Sequence, residues 1–222
     1  FSSHFALYRD ISRRVFAVMK RELEVVEQYS VDEAFFIINK DHTETVVNLK
    51  STIEKLVGIP VSVGVGASKT QAKYASELAK KGSGIKVLTP IEWNSLADSI
   101  PLGQLWGVGG KSSKRYKQHN LFTVSDILNA DSGRIAQLFG VNGIRLQQEL
   151  LGDLTPKIEQ KHAPQQSITS SRSFANSVTE LSILYDAVAY HVRHAAADLR
   201  AQKQNAGKII VSIRPGRYGD FV

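Results

Sequence analysis

Two short apolar runs around a pair of acidic residues constrain the fold of this chain more than any other feature. The first run extends from Val25 to Val31, the second from Ala34 to Ile38, and Asp32 and Glu33 lie between them. β-Branched and aromatic residues dominate both runs, which predicts a β-hairpin with an acidic tip. Two-residue hairpin turns favour Asn-Gly or Asp-Gly, because both central residues need positive φ. The Asp-Glu pair fits such a turn poorly.

The segments around this hairpin alternate between helical and extended patterns. The spacing of apolar residues predicts, in order, a helix over 5–20, the hairpin, a helix over 43–57, a strand over 59–66, a helix to about Lys80 and a strand at Ile85–Leu88. Ser68 is a suitable N-cap for the third helix. This order predicts an α+β layer in which helices pack on a sheet.

The pattern changes near Pro101. Residues 101–152 read as short helices broken by glycine, and the polar, proline-containing segment 153–166 reads as a linker. The last part predicts a strand over 166–174, an amphipathic helix over about 179–203 and a strand over 207–214. Thr179 is the expected N-cap of that helix.

Composition narrows the class of protein. The 222 residues are 42% hydrophobic, which suffices for real cores, and include no cysteine. The chain therefore has no disulfide or thiolate metal site, which fits a cytoplasmic protein. It shows no membrane-spanning run or signal peptide, and its six histidines form no spaced set of zinc ligands. Because it begins with Phe1, we expect a chain trimmed at its front.

The net charge of +7 is spread unevenly along the chain. The basic excess is +1 over residues 1–100, +2 over 101–156 and +4 over 157–222. A basic excess that grows in this way is expected if the later segments bind a polyanion such as nucleic acid. A basic surface that serves only solubility is the alternative.

The acidic pair has two interpretations. Asp32 and Glu33 could form a solvent-exposed turn without further role. They could also be carboxylates held at a sheet edge to bind Mg²⁺, which takes one or two protein carboxylates together with substrate phosphates. Polymerases use two such ions to stabilise the attacking and leaving oxygens.

A glycine-rich turn marks the segment after Pro101. Leu105-Trp106-Gly107-Val108-Gly109-Gly110-Lys111 fits a helix-hairpin-helix, whose glycines allow the backbone to approach a DNA phosphate. Gly107, Val108, Gly109 and Lys111 are the predicted DNA-binding residues, and an ordinary turn between helices is the alternative. Asn120, a little further along the chain, is a residue type that tolerates the left-handed conformation. Phe139–Ile144 resembles a second, degenerate turn.

Trp93 and Trp106 are predicted to be core residues.

Several segments together resemble the Y-family (UmuC-like) translesion DNA polymerases. Tyr29-Ser30-Val31-Asp32-Glu33-Ala34-Phe35 looks like the second palm motif of that family. Phe1–Tyr8 and Ser12–Val15 are similar to the preceding segment, and Val63–Lys73 resembles the next motif. Gln166–Phe174 resembles the first strand of the little-finger domain. The resemblance extends over essentially the whole chain.

The resemblance implies roles for individual residues. Asp32 and Glu33 would be catalytic, metal-binding carboxylates of a two-Mg²⁺ site, and Lys73 would reach the triphosphate of the incoming nucleotide. Lys69 is a further nucleotide-binding candidate, although the loop at Ser68-Lys69 is about two residues shorter than the family pattern. The family's first catalytic aspartate, its fingers domain and its steric gate have no counterpart here, so we expect this chain alone not to polymerise DNA.

The resemblance also implies domains and partners. It implies a partial palm over 1–100, a helix-hairpin-helix thumb over 101–152, a linker over 153–166 and an incomplete α+β little finger over 167–222. Ser171, Arg172 and Ser173 would contact the DNA backbone, although Arg172 could equally be an exposed strand residue. The implied partners are primer–template DNA, a deoxynucleoside triphosphate, a UmuD-like subunit, a recombinase filament and a sliding clamp.

Three functions are consistent with these patterns. The first is an error-prone DNA polymerase that copies damaged template in the SOS response. The second is a non-catalytic DNA-binding module whose acidic hairpin is inert. The third is a palm-type nucleotide cyclase, although such enzymes carry glycines where Ser30 and Val31 stand here.

Overall fold

The structure is a computed structural model that describes residues 4–38, 42–153, 158 and 165–214. The chain divides into two compact units, Phe1–Lys161 and His162–Val222. In the described residues, no helix combines the length and apolar character that a membrane span requires. Most of the predicted linker over 153–166 lies outside the described residues.

The first unit combines helices with short strands. In chain order its elements are α1 (Phe5–Glu22), β1 (Val26–Gln28), β2 (Ala34–Phe36), α2 (His42–Val57), β3 (Val63–Val65), α3 (Lys69–Ala79), β4 (Ile85–Val87), α4 (Pro90–Leu96), α5 (Gly110–Gln118), α6 (Val124–Leu128) and α7 (Ser132–Leu151). Short 3₁₀ turns lie at Ala97–Ser99 and Leu102–Gln104. This mixture confirms the predicted α+β class.

The strands form two separate two-stranded sheets in the part of the chain that the structure describes. β1 and β2 pair in antiparallel fashion, with Val26 opposite Phe36, which confirms the predicted hairpin. β3 and β4 pair in parallel, and α3 provides the crossover that such a pair needs. The strand predicted over 59–66 is hydrogen-bonded only at Val63–Val65.

Close packing of β3 against α3 fixes the position of this helix. A Cβ atom at Gly64 would lie 2.1 Å from the backbone nitrogen of Ser76 and 2.3 Å from the carbonyl oxygen of Ala72. Only glycine therefore allows this approach. Ser68 caps α3 as predicted, because its hydroxyl accepts a hydrogen bond from the Gln71 N–H at 3.2 Å.

Two hydrophobic clusters form the core of the first unit. The smaller cluster joins α1, α2 and the hairpin through Phe16, Val18, Met19, Leu23, Val26, Leu49 and Ile53. The larger cluster joins α3 and α4 to the helices that follow, through residues that include Ala75, Trp93, Ile100, Leu102, Leu105, Ile127, Ile135 and Leu150.

The larger cluster continues across residue 101, where the sequence pattern changes. The Trp93 side chain is only 2% exposed, which confirms it as a core residue. Its indole N–H donates a hydrogen bond to the carbonyl oxygen of Leu150 at 2.9 Å. Residues on both sides of position 101 thus share one core, and the division into 1–100 and 101–152 stays a prediction.

The second unit departs from the sequence expectations. Its long helix, α8 (Leu181–Ala201), confirms the predicted amphipathic helix, but its N-cap is Glu180 rather than Thr179 and makes no side-chain cap bond. The predicted strands over 166–174 and 207–214 are wrong as hydrogen-bonded strands. A strand needs a neighbouring strand, and neither segment pairs with one in the described residues. No residue of α8 is buried.

Candidate active site

The acidic hairpin presents its carboxylates at a structured turn. The backbone N–H groups of Tyr29 and Ser30 both donate to the carbonyl oxygen of Glu33, at 2.9 and 3.1 Å. The Ser30 hydroxyl donates to Asp32 Oδ1 at 2.7 Å and accepts from the Asp32 N–H at 3.3 Å. The turn between the strands is therefore longer than two residues, which explains why Asp-Glu is tolerated there.

The structure brings two of the predicted site residues into direct contact. Lys73 projects from α3 toward the hairpin, and its Nζ lies 2.5 Å from Glu33 Oε1. The side chains are 19% and 34% exposed, so the pair is partly shielded from solvent. Asp32 beside it is exposed. A predicted metal carboxylate and the predicted nucleotide-binding lysine thus meet at one place.

Two further charged residues belong to this site, Glu77 of α3 and Lys80 at the C-cap of that helix, and the sequence patterns did not single them out. Glu77 Oε1 lies 3.7 Å from Lys73 Nζ and 2.7 Å from Lys80 Nζ. The spacing of positions 73, 77 and 80 could have revealed these two residues in the sequence, because helix residues three and four apart are neighbours.

Charge interactions at these residues are reflected in their pKa values. The hydrogen bond from Lys80 lowers the pKa of Glu77, and the nearby charge of Lys73 lowers it further. The hydrogen bond to Glu77 raises the pKa of Lys80, and the charges of Glu33 and Asp32 add to this effect. Lys80 therefore lies within the electrostatic reach of the acidic hairpin.

Lys69 has different surroundings from Lys73, although both belong to α3. Its Nζ lies 2.6 Å from Glu27 Oε2, and both side chains are largely buried, at 13% and 11% exposure. The same ammonium group lies 5.2 Å from the centroid of the Phe35 ring. These contacts hold Lys69 against β1 and β2, and its role toward a nucleotide stays a prediction.

Three aromatic rings connect the hairpin to the segment before the glycine turn. The ring centroids of Tyr29 and Trp106 are 5.2 Å apart, and those of Phe35 and Trp106 are 5.4 Å apart. Trp106 is half-buried, and contacts at these separations are favourable beyond the area that they bury. Trp106 therefore joins the acidic hairpin to Gly107.

A cleft of about 410 Å³ opens beside this junction. Its lining residues are Lys73, Tyr74, Glu77, Leu78, Lys81, Gln104, Leu105 and Trp106. Two lysines and a carboxylate line a cleft that also has an apolar wall. Such a cleft can accommodate a ligand that combines negative charge with flat or apolar groups.

The glycine turn has the backbone geometry that its sequence requires. Gly107 has φ +82°, in the left-handed region, and a Cβ at Gly107, Gly109 or Gly110 would meet no atom within 4 Å. Val108 is buried and anchors the turn. Gly109 is the N-cap of α5 and provides no side-chain cap, so the first amides of the helix face an open surface.

The exposed surface that follows this turn is basic. Lys111, Lys114, Arg115 and Lys117 all lie on α5, which contains no acidic residue. Among the described residues, no salt bridge involves any of these four side chains. Lys111 itself is exposed in the first turn of the helix.

A second glycine conformation occurs inside α7. Gly140 has φ +64° and ψ −154° and divides the element into two helical segments. Its neighbour Phe139 packs on Tyr116, with ring centroids 4.3 Å apart. The guanidinium of Arg115 donates a hydrogen bond to the carbonyl oxygen of Leu138. The segment that resembles a degenerate second turn thus packs against the helix that follows the first.

The remaining predicted DNA-binding residues lie in the second unit. Ser171, Arg172 and Ser173 are all exposed. The adjacent Ser170 contacts α8, where its Oγ lies 2.8 Å from His191 Nδ1.

The donor set at the hairpin fits a hard divalent cation. Asp32 and Glu33 offer two neighbouring carboxylates, one exposed and one partly exposed, which matches the one or two carboxylates that Mg²⁺ takes alongside phosphate oxygens. No group of three or more His, Asp or Glu side chains with metal-binding geometry occurs in the described part of the chain. Oxygen ligands from outside this pair would have to complete the coordination.

Two family models match this chain. The model for the impB/mucB/samB family matches residues 1–77, and the model for the C-terminal domain of the same family matches residues 165–221. The first match includes the acidic hairpin, Lys69 and Lys73. The second includes Ser171, Arg172 and Ser173.

Curated relatives agree with these matches. Protein SamB of Salmonella typhimurium is 32% identical over 229 residues, which cover 98% of this chain and 54% of the relative. Protein UmuC of Salmonella typhimurium is 32% identical over 214 residues, 92% of this chain and 51% of the relative. DNA polymerase IV 1 of Halalkalibacterium halodurans is 29% identical over 79% of this chain and 42% of the relative. The chain thus spans about half the length of these relatives.

Solved structures show the same fold at low sequence identity. A Dbh ternary complex with partially disordered substrates has a TM-score of 0.63 at 18% identity and covers 88% of this chain and 60% of that chain. DinB from Sulfolobus solfataricus has a TM-score of 0.59 at 20% identity, with 70% and 48% covered. The two matches to this family together cover more than half of the sequence, and the chain belongs to the impB/mucB/samB family.

Proposed function

We propose that this chain is part of a DNA-directed DNA polymerase of the error-prone translesion type, which adds nucleotides across damaged template. The contact between Glu33 and Lys73 carries this proposal, because it joins a metal-type carboxylate to a phosphate-type cation at 2.5 Å. Phosphoryl transfer depends mainly on positioning and on charge stabilisation, and both groups serve those needs.

Each residue at the hairpin has a defined part in the proposal. Asp32 and Glu33 would hold Mg²⁺, and the bound ions would supply stabilisation for the charge that develops on the phosphate oxygens. Lys73 would orient the triphosphate of the incoming nucleotide. Ser30 fixes the direction of Asp32 through the hydrogen bond at 2.7 Å. Lys69 would act nearby through its charge.

The proposed nucleic-acid interface lies on the glycine turn and the basic helix behind it. As a helix-hairpin-helix, Gly107, Val108 and Gly109 would let the backbone N–H groups approach a DNA phosphate, and Lys111 would add charge. Ser171, Arg172 and Ser173 would contact the DNA backbone from a little-finger domain over 167–222. Residues 1–100 and 101–152 would correspond to palm and thumb.

The proposed partners follow from this function. Primer–template DNA and a deoxynucleoside triphosphate would be the substrates, in the cytoplasm. A UmuD-like subunit, a recombinase filament and a sliding clamp would be protein partners in the SOS response. These partners are drawn from the resemblance.

A primer-extension assay on the full-length gene product tests the function. With primer–template DNA, deoxynucleoside triphosphates and Mg²⁺, we expect template-directed extension, including insertion opposite an abasic site. DNA binding without extension would favour the DNA-binding module. Formation of cyclic nucleotides without any need for DNA would favour the cyclase. Either result would refute the polymerase proposal.

A further inference from the structure

Lys73 and Glu77 of α3 and Lys80 at the C-cap of this helix form a continuous series of charges next to the acidic hairpin. Lys73, Glu77 and Lys80 occupy positions i, i+4 and i+7, where consecutive members are neighbours on one helix face. Lys73 Nζ lies 2.5 Å from Glu33 Oε1 and 3.7 Å from Glu77 Oε1. Two carboxylates therefore share one ammonium group.

The two carboxylates do not hold Lys73 equally. Glu77 Oε1 lies 2.7 Å from Lys80 Nζ, so this carboxylate pairs more closely with Lys80 than with Lys73. Because Lys80 competes for Glu77, Lys73 remains mainly with Glu33. The strength of the contact between Lys73 and Glu33 therefore depends on a lysine two helical turns away.

Binding of a cation by Glu33 requires a rearrangement of this series. The Glu33 oxygen that contacts Lys73 cannot bind a divalent ion at the same time without strong repulsion between the ammonium group and the ion. Lys73 must then move away from that oxygen. Among the described residues, Glu77 is the other carboxylate within ion-pair distance of Lys73.

We propose that Glu77 is a positioning residue that takes over Lys73 when Glu33 binds a divalent cation, and that Lys80 limits this exchange. Glu77 would thereby keep the ammonium group beside the site, available for nucleotide phosphates. This inference rests on the proposed function, since it assumes that Glu33 binds metal.

The test measures metal binding directly, without catalytic activity. Mn²⁺ is titrated into the chain, and the broadening of the backbone amide signals of Asp32 and Glu33 is followed by NMR. We expect Glu77→Gln to raise the Mn²⁺ concentration at half-broadening by about two- to fivefold, the scale of exposed ion pairs. Lys80→Ala should lower it. Both side chains are about half exposed, at 52% and 53%, so both variants should fold.

A double-mutant cycle separates an effect through Lys73 from the direct action of a distant charge on the metal. Glu77→Gln and Lys80→Ala are repeated in a Lys73→Met background. If both act through Lys73, their effects on Mn²⁺ binding should disappear there. Lys55→Ala is the control, because Lys55 is an exposed lysine of α2, does not line the cleft and makes no salt bridge among the described residues. It should leave the half-broadening concentration unchanged.

Every outcome of this titration decides the proposal. Opposite shifts for the two variants that vanish without Lys73 support it. Shifts that persist without Lys73, or no shift at all, overturn it and leave the polymerase proposal intact. If Mn²⁺ fails to broaden the Asp32 and Glu33 signals of the unmodified chain, Glu33 binds no cation in this chain and this inference is wrong, while the polymerase proposal is decided by primer extension.

Discussion

Lys69 and Lys73 are one helical turn apart on α3, yet their surroundings give them different properties. Lys69 is 13% exposed and pairs with Glu27, which is 11% exposed, whereas Lys73 is paired with the more exposed Glu33. A buried ion pair is costly to break, because each charge has lost its water. Removal of Lys69 alone should therefore destabilise the fold, whereas Lys73, in a more exposed pair, can exchange its partner for a ligand.

Replacement of the two lysines should separate these roles. Lys69→Met removes the cation from a largely buried Glu27, and we expect the free energy of unfolding to fall by about 3 kcal/mol. Lys73→Met acts on a partly solvent-exposed pair and should cost less than about 1 kcal/mol. Urea denaturation of the two variants measures both values. Equal losses would show that Lys69 has no special structural role.

At the scale of single residues, the sequence could name candidate site residues but not their contacts. Asp32, Glu33 and Lys73 could be named from motifs, because each motif is local. The contact between Glu33 and Lys73 joins residues 40 positions apart and depends on how β3 packs against α3. Glu77 and Lys80 were missed because charged residues at helical spacing are common on solvated surfaces.

Among the elements, the glycine turn before α5 has a backbone conformation that restricts its sequence. Gly107 has φ +82°, which non-glycine residues adopt only at a cost, while Gly110 lies inside α5 with no such angle. Neither position would create a steric clash for a Cβ atom. The two glycines therefore differ in backbone conformation alone.

Alanine substitutions at these positions should have opposite effects on stability. Gly107→Ala forces a left-handed conformation, and we expect a loss of about 1–2 kcal/mol together with weaker binding of duplex DNA. Gly110→Ala is the matched control and should be neutral or stabilising, because alanine favours the helix. Urea denaturation and fluorescence anisotropy with labelled duplex measure the two quantities. Unchanged DNA binding by Gly107→Ala would argue against this turn as the phosphate contact.

Elements with local signals were predicted better than elements that depend on distant partners. The Ser68 cap and the left-handed Asn120, with φ +59°, followed from local chemistry. The hairpin also has a short connection, so its strands find each other easily. The strands expected over 166–174 and 207–214 needed partners elsewhere, and the described residues provide none.

For the chain as a whole, the packing of the first unit is what brings the candidate site together. The larger hydrophobic cluster joins α3 to α7, and the Gln71 side-chain amide donates to the Leu150 carbonyl oxygen at 3.0 Å. Trp106 connects the hairpin with the glycine turn. The proposed metal carboxylates and the proposed phosphate-binding turn are therefore parts of one packed structure.

Sequence patterns could anticipate the α+β class and the order of elements, since periodicity reports on each element separately. They could not show that the core continues across residue 101, because the change of pattern at Pro101 suggested a break. Packing of α4 against the end of α7, through Trp93 and Leu150, depends on residues 57 positions apart.

The most direct test of the central claim is single-turnover nucleotide incorporation by the full-length gene product carrying Asp32→Asn. If Asp32 holds a catalytic Mg²⁺, the rate should fall at least about 100-fold, the scale of losing one electrostatic group from an active site, while the Kd for primer–template DNA stays unchanged. Asp10→Asn, on the exposed face of α1, is the control and should keep the normal rate. Incorporation at the unmodified rate by Asp32→Asn would contradict the assignment of the acidic hairpin as the metal site.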